Sequence, residues 1–225
     1  MKRVSVIGTV HKDSGLANAS ELLVILECIQ PEVIFLEVPA AGFDDSGSGT
    51  LGTLESTAVS RYRRVQQAAL VAVDLPTPQG EFFWNSEDLH KTIERRRSEY
   101  CRLVDWHSQY VRAYGFAYLN SDHCSKLFSE LHEAMLSAIR ELADNRLAER
   151  YQLWRSTNEL RDLEMMKNIE EYCQNNASDN GVLLVGAAHR QSIRDKSREG
   201  SAARSSVLHW EFPGFGLSVV NALPN

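Results

Sequence analysis

Two short segments of the chain place a side chain capable of chemistry in matching surroundings. Gly8-Thr9-Val10-His11 follows the apolar run Val4 to Ile7, and Gly186-Ala187-Ala188-His189 follows the run Val182 to Val185. Each histidine stands three residues past a glycine, just beyond a stretch that reads as a buried strand. Glu37 and Asp74 end two further apolar runs, Val33 to Val38 and Leu70 to Asp74. Two neutral imidazoles and one carboxylate, His11, His189 and Glu37, form a three-donor set that can hold a catalytic divalent metal and leave a position for water. The same groups can work without an ion, one histidine as general base, the other as electrophile or orienter, and Glu37 fixing a tautomer. Gly8 and Gly186 would serve by lacking Cβ, either turning the chain at positive φ or letting a ligand approach the backbone. Each residue also has a plainer reading. A histidine near a strand end is commonly a hydrogen-bonded surface residue, Glu37 could cap a helix or pair with a cation, and Asp74 could shape the turn before Pro76. His90, His107, His123, His132 and His209 lack such surroundings and read as structural or surface residues.

The elements that must position these groups follow from periodicity. Val4 to Ile7 reads as a buried strand, Ser20 to Ile29 as a helix stopped by Pro31, and Val33 to Val38 as a second strand. A crossover of this length favours parallel strands that are neighbours or near neighbours. The Gly/Ser-rich stretch 40–52 reads as a loop, Glu55 to about Ala69 as a helix, and Leu70 to Asp74 as a third strand. The middle has little strand signal: Ser86 to Tyr114, Lys126 to Ala143 and Ser156 to Cys173 read as largely helical. The last shows a capping-box pattern, Ser156-x-x-Glu159, and an apolar stripe of Leu160, Leu163, Met166, Ile169 and Cys173. Strand character returns at Val182 to Val185, a short helix covers about 189–198, and Ser206 to Phe212 alternates as a final edge strand. The expected fold is α/β: one domain over 1–225, a mostly parallel sheet formed by both chain ends (1–80 and 156–225), and a largely helical insertion at about 86–155. In a parallel arrangement His11, Glu37, Asp74 and His189 rise from one edge of the sheet, where ligands of open α/β sheets bind.

Composition narrows the function classes. The 225 residues carry a formal net charge of −6, so no domain-wide basic field suggests a nucleic-acid partner. The densest basic run, Arg95-Arg96-Arg97, lies between Glu94 and Glu99 and reads as a solvated helix face. No apolar run is long enough for a membrane span, and the apolar stretch after MKR is too short for a signal-peptide core. Cys28, Cys101, Cys124 and Cys173 form no CxxC pair, which suits reduced thiols in a cytoplasmic protein. There is no GxGxxG fingerprint and no P-loop lysine pattern.

Taken in order, GTVH at the end of strand one, PEVIFLEV ending in a glutamate region, a helix with Arg161-Asp162-x-x-Met165, and LLVGAAH resemble the TraB/PrgY, GumN and Tiki group. That group belongs to the superfamily that also takes in erythromycin esterases and haem-binding ChaN proteins. The resemblance covers the first 75 residues and about 156–192. It implies an α/β core with a helical insertion and a hydrolase acting on a peptide or ester-like substrate. Its site would be His11, Glu37 and His189, as catalytic triad or as ligands of manganese or cobalt, with Gly8 and Gly186 as turn residues; apart from the resemblance, zinc would suit the same donors and Asp74 would support them from the end of the third strand. Arg161 matches the group's arginine; it could hold a substrate carboxylate or an oxyanion, against an ion pair on the helix surface with Glu164 or Asp162. ChaN-like haem or small-molecule binding, or an interaction or immunity role on the same edge, are the alternatives. Relatives often carry an arginine soon after the strand-two glutamate; EVPAAGFDDSG has none, which bears on the substrate class.

Overall fold

The computed structural model describes residues 2–41, 43, 52–76, 80–95, 97–203 and 208–216. Most of the Gly/Ser-rich stretch, residues 42 and 44–51, lies outside them, as do Ser206 and Val207 of the expected last strand.

Among the described residues five strands form one all-parallel sheet: β1 (Lys2–Thr9), β2 (Val33–Pro39), β3 (Ala69–Asp74), β4 (Asn180–Gly186) and β5 (Leu208–Glu211), in the order β3-β2-β4-β1-β5. The two chain ends therefore interleave, β4 entering between β1 and β2. Strand alternation sorts side chains into two cores. Ile7, Ile34, Val182 and Leu184 face α1 (Ala19–Ile29), α2 (Leu54–Arg63) and the end of α4 (Ser98–Leu119). Val4, Val6, Val33, Phe35, Leu183 and Val185 face the second half of α6 (Asn145–Asn175) and α7 (Arg190–Ala203). Strands covered on both faces need apolar residues at nearly every position, which is why they read as continuous runs.

The helical middle comprises α3 (Gly80–Glu94), α4, α5 (Asp122–Leu142) and the first half of α6, around a core of its own that includes Leu89, Ile93, Leu131, Met135 and Leu147. Helix α6 has 31 residues, about 46 Å at 1.5 Å per residue, and runs unbroken from this bundle onto the sheet. Its N-cap is Asp144, which accepts from the N–H groups of Arg146 and Leu147. Ser156 thus sits inside the helix rather than starting one, and its hydroxyl donates to Leu153 O. The expected stripe holds only in part: Met166, Ile169 and Cys173 are buried, whereas Leu160 and Leu163 are 59% and 52% exposed. Arg161 and Asp162 take the inward positions because partners wait for them on the sheet edge. Helix α2 ends at Arg63, earlier than its pattern suggests, and α1 is capped by Asn18 and closed by Gln30 in the left-handed region before Pro31.

The bundle is fixed to the core by two glycines. Gly15 and Gly115 have φ of +59° and +52°, and a Cβ on them would lie 2.3 Å from Arg112 O and 2.5 Å from Leu16 O. Leu16 N–H donates to Arg112 O at 3.0 Å across the same contact. The loop after β1 and the kink in α4 are therefore in backbone contact. Gly15→Ala should lower stability by roughly 2–5 kcal/mol, summing left-handed strain and overpacking. Gly52→Ala, at φ +55° with no described atom within 4 Å of the new Cβ, should cost only about 1–2 kcal/mol. Urea unfolding of both proteins checks this; equal losses would mean that the glycine contact does not hold the bundle to the sheet.

Candidate functional site

The parallel sheet brings the expected residues to one edge. His11, Glu37, Asp74, Arg161 and His189 all line a single cavity of about 450 Å³ beyond the carboxyl ends of β1, β2, β3 and β4. At the end of β2 the register with β3 shifts: Leu36 pairs with Ala72 but Pro39 with Asp74, so β2 carries one extra residue there. Such a bulge re-aims a side chain, and it falls on Glu37 and Val38.

Arg161 is the centre of the cluster. Its Nε donates to Asp74 Oδ1 and Oδ2 at 3.1 and 3.2 Å, Nη2 to Asp74 Oδ2 at 2.7 Å and to Glu37 Oε1 at 2.6 Å, and Nη1 to Asn158 Oδ1 at 3.1 Å. Burial works against its charge, but the carboxylates of Asp74 and Glu37 more than offset that and raise its pKa further. Neither Glu164 nor Asp162 pairs with it, so the alternative reading, an ion pair on the helix surface, gives way to a bridge from helix to sheet. With its N–H groups so engaged, the guanidinium acts as a fixed positive charge rather than as a free clamp. Glu37 is held from its other side by Gly186 N–H, 2.6 Å from Oε2.

His189 is backed by Asp162, whose Oδ1 lies 2.6 Å from Nδ1, leaving Nε2 3.4 Å from Glu37 Oε1 and 3.4 Å from Arg161 Nη1. Burial lowers the tendency of this imidazole to protonate, but the Asp162 hydrogen bond and the charges of Glu37 and Asp162 outweigh it, so its pKa is raised. Lys196 lies 3.7 Å from the far oxygen of Asp162. His11 stands at the cavity's open side, its side chain 65% exposed, with Nδ1 3.2 Å from Glu55 Oε1. That hydrogen bond raises the pKa of His11, with burial opposing. Glu55 comes from the first turn of α2, beyond the Thr53 cap, and also accepts from Thr9 Oγ1 at 2.7 Å. Its Oε2 is buried and has no hydrogen-bond partner among the described residues.

Sequence reasoning did not single out Glu55 and gave Asp162 no part in orienting His189. The Arg161-Asp162 pair, adjacent on a helix leading to the second motif, was the available signal for Asp162. Nothing in the local pattern marks Glu55. His107, read as structural, also lines the cavity, together with Phe128. The two motif glycines act differently from a turn at positive φ. Gly186 has φ −52°, and Gly8 is not among the positive-φ glycines. A Cβ on Gly8 would lie 3.0 Å from Leu119 O and 3.2 Å from Ala187 Cα, so its role is close packing. The buried Asn120 side chain accepts from Gly8 N–H at 2.7 Å and donates to Gly8 O at 3.1 Å.

Two imidazoles and a carboxylate are the donor types of a catalytic metal site. As arranged they do not fit an ion, because the Arg161 guanidinium already stands against both Glu37 Oε1 and His189 Nε2. Among the described residues no group of three His, Cys, Asp or Glu side chains is set to hold one. Nor is any described helix long and apolar enough to cross a membrane.

Set beside models of known protein families, characterised proteins and solved structures, the chain matches none of them. Its fold and site define an all-parallel α/β protein with a helical bundle inserted between β3 and β4 and a charged cavity at the carboxyl edge of the sheet.

Arg161→Met should remove about 3–5 kcal/mol of stability, since it leaves Glu37 and Asp74 buried without their cation; urea titration measures it, and a loss under 1 kcal/mol would refute a central role. The raised pKa of His189 also predicts a pH dependence. Its folded value lies above the ordinary 6.5, so its stabilisation is complete below that value and fades as pH rises through the folded pKa. In chelator-treated protein, Asp162→Asn should therefore be most destabilising at mildly acid pH and less so at mildly alkaline pH. A pH-independent difference in unfolding free energy would contradict the His189–Asp162 ion pair.

Proposed function

We propose that this protein is a hydrolase of the TraB/Tiki and erythromycin-esterase type, acting on an ester or amide bond by acid–base catalysis at the carboxyl edge of its sheet. The observation that carries this reading is the Asp162–His189 hydrogen bond of 2.6 Å, which presents the Nε2 of a carboxylate-backed imidazole to a cavity of small-molecule size. Asp162 accepts the Nδ1 proton and so fixes the tautomer in which Nε2 is the base. Water in the cavity gives its proton to Nε2 as its oxygen attacks the carbonyl carbon. Asp162 then balances the imidazolium. The tetrahedral oxyanion forms beside the buried guanidinium of Arg161, whose fixed positive charge lines the cavity. His11, kept readily protonated by Glu55, returns a proton to the departing oxygen or nitrogen. Glu37 and Arg161 set the electrostatic field around Nε2, the former supporting its basicity and the latter limiting it.

A metal-assisted form of this reading is favoured by one observation: a carboxylate behind each imidazole also supports metal-ligating histidines. In that form the ion would lower the pKa of a bound water, and Arg161 would have to release Glu37.

Methyl phenylacetate hydrolysis, followed by pH-stat in protein purified without tag or chelator, tests the proposal. Wild type should turn over, and His189→Ala and His11→Ala should each lose about 10²–10⁴-fold in rate with the fold intact. Full activity in either folded mutant would sink the acid–base assignment. One manganese, cobalt or zinc ion per chain by mass spectrometry, lost in the double mutant together with activity, would replace it by the metal-assisted form.

A further inference from the structure

The cavity has two unlike walls. The sheet edge supplies charge, whereas the helical bundle supplies His107 from α4 and Phe128 from α5, and Val10 and Leu75 add apolar surface to the lining. The His107 and Phe128 rings lie 5.0 Å apart at 55°. Both rings line the cavity and give it an aromatic wall against which a flat group can lie.

His107 also brings a hydrogen-bond donor. Its Nδ1 lies 3.0 Å from the hydroxyl of Tyr118, a residue only 1% exposed. Burial lowers the pKa of His107, keeping it neutral, and raises that of Tyr118, keeping its proton. The Tyr118 hydroxyl also meets the thiol of Cys124, which burial pushes up to about 12. A thiol is a weak acceptor, so the Tyr118 proton goes to His107 Nδ1. The remaining ring proton is then on Nε2, which has no hydrogen-bond partner among the described residues.

Charge narrows the ligand further. Glu37, Asp74, Glu55 and Asp162 stand at or directly behind the cavity wall, against the fixed cations Arg161 and Lys196. These charges come close to balancing once whichever of His11 and His189 holds a proton is added to the cations, so an anionic group gains no net attraction there. We propose that His107 and Phe128 form a specificity subsite that takes an aromatic ring and donates one hydrogen bond from His107, so that the substrate is a small, uncharged, aryl-bearing ester or amide. This rests on the hydrolase reading for the word substrate, but the subsite itself does not depend on turnover.

The test separates the two. Phenylacetamide is titrated into protein carrying isotope-labelled histidine, and ring resonances are followed by NMR beside pH-stat rates for methyl phenylacetate and methyl acetate. The His107 ring signals should shift, and affinity should fall about tenfold in His107→Leu and in Phe128→Ala, about the worth of one aromatic contact. His107→Gln, which keeps an N–H donor without the ring, should recover part of the loss. The kcat/KM ratio of methyl phenylacetate to methyl acetate should fall in the same variants. Phenylacetamide that binds at His107 with no ester turned over by wild type would overturn the hydrolase reading and support the subsite. Turnover with an unchanged ester ratio in His107→Leu, or no movement of the His107 signals at any phenylacetamide concentration, would overturn the subsite and leave the hydrolase reading standing.

Discussion

One buried guanidinium holds the site together. Arg161 is 8% exposed, and its forked donors join the ends of β2 and β3 to α6 through Glu37 and Asp74. Desolvating three charges is costly, and only their mutual pairing and near-complete hydrogen bonding recover it. That constraint dictates much else. It turns Arg161 and Asp162 inward on α6 and Leu160 and Leu163 outward, the reverse of their hydropathy. With Asp162 inward, an acceptor stands ready for His189 Nδ1. Glu37 is pulled into a position where one oxygen meets Arg161 and the other Gly186 N–H, which ties β2 to β4 at the same level.

The second constraint is close backbone packing around the first glycine motif. Gly8 lets Leu119 O and Ala187 approach, and Asn120 serves both polar groups of the Gly8 peptide. Gly15 and Gly115 join the next loop to the α4 kink. These contacts make the helical bundle a wall of the cavity rather than a separate lobe. Side chains that must meet a ligand are thereby presented from elements that are themselves packed, the arrangement that preserves geometry in a polar cavity.

Electrostatically, the site divides its histidines by environment. His11 and His189 each rest on a carboxylate and gain basicity, whereas His107 rests on a hydroxyl in an apolar setting and loses it. Three imidazoles around one cavity can thus differ in charge at one pH, which allows one to accept a proton, one to give it and one to remain a neutral donor.

Much of this was legible in the sequence. The α/β class and its parallel sheet follow from short runs that are apolar at every position and alternate with helical periods. Once the strands are parallel, His11, Glu37, Asp74 and His189 must share an edge, because strand direction alone carries each one there. What the sequence could not specify was how helices rotate and dock. Ser156 and Glu159 read as a cap though they lie within α6, and Leu160 and Leu163 read as core though they face outward. Glu55, Asp162 and His107 looked ordinary because each acts on a partner 27 or more residues away or on the cavity itself. Local periodicity records which residues are apolar. It does not record that a buried ion pair can outweigh two leucines in deciding which face of a helix turns inward.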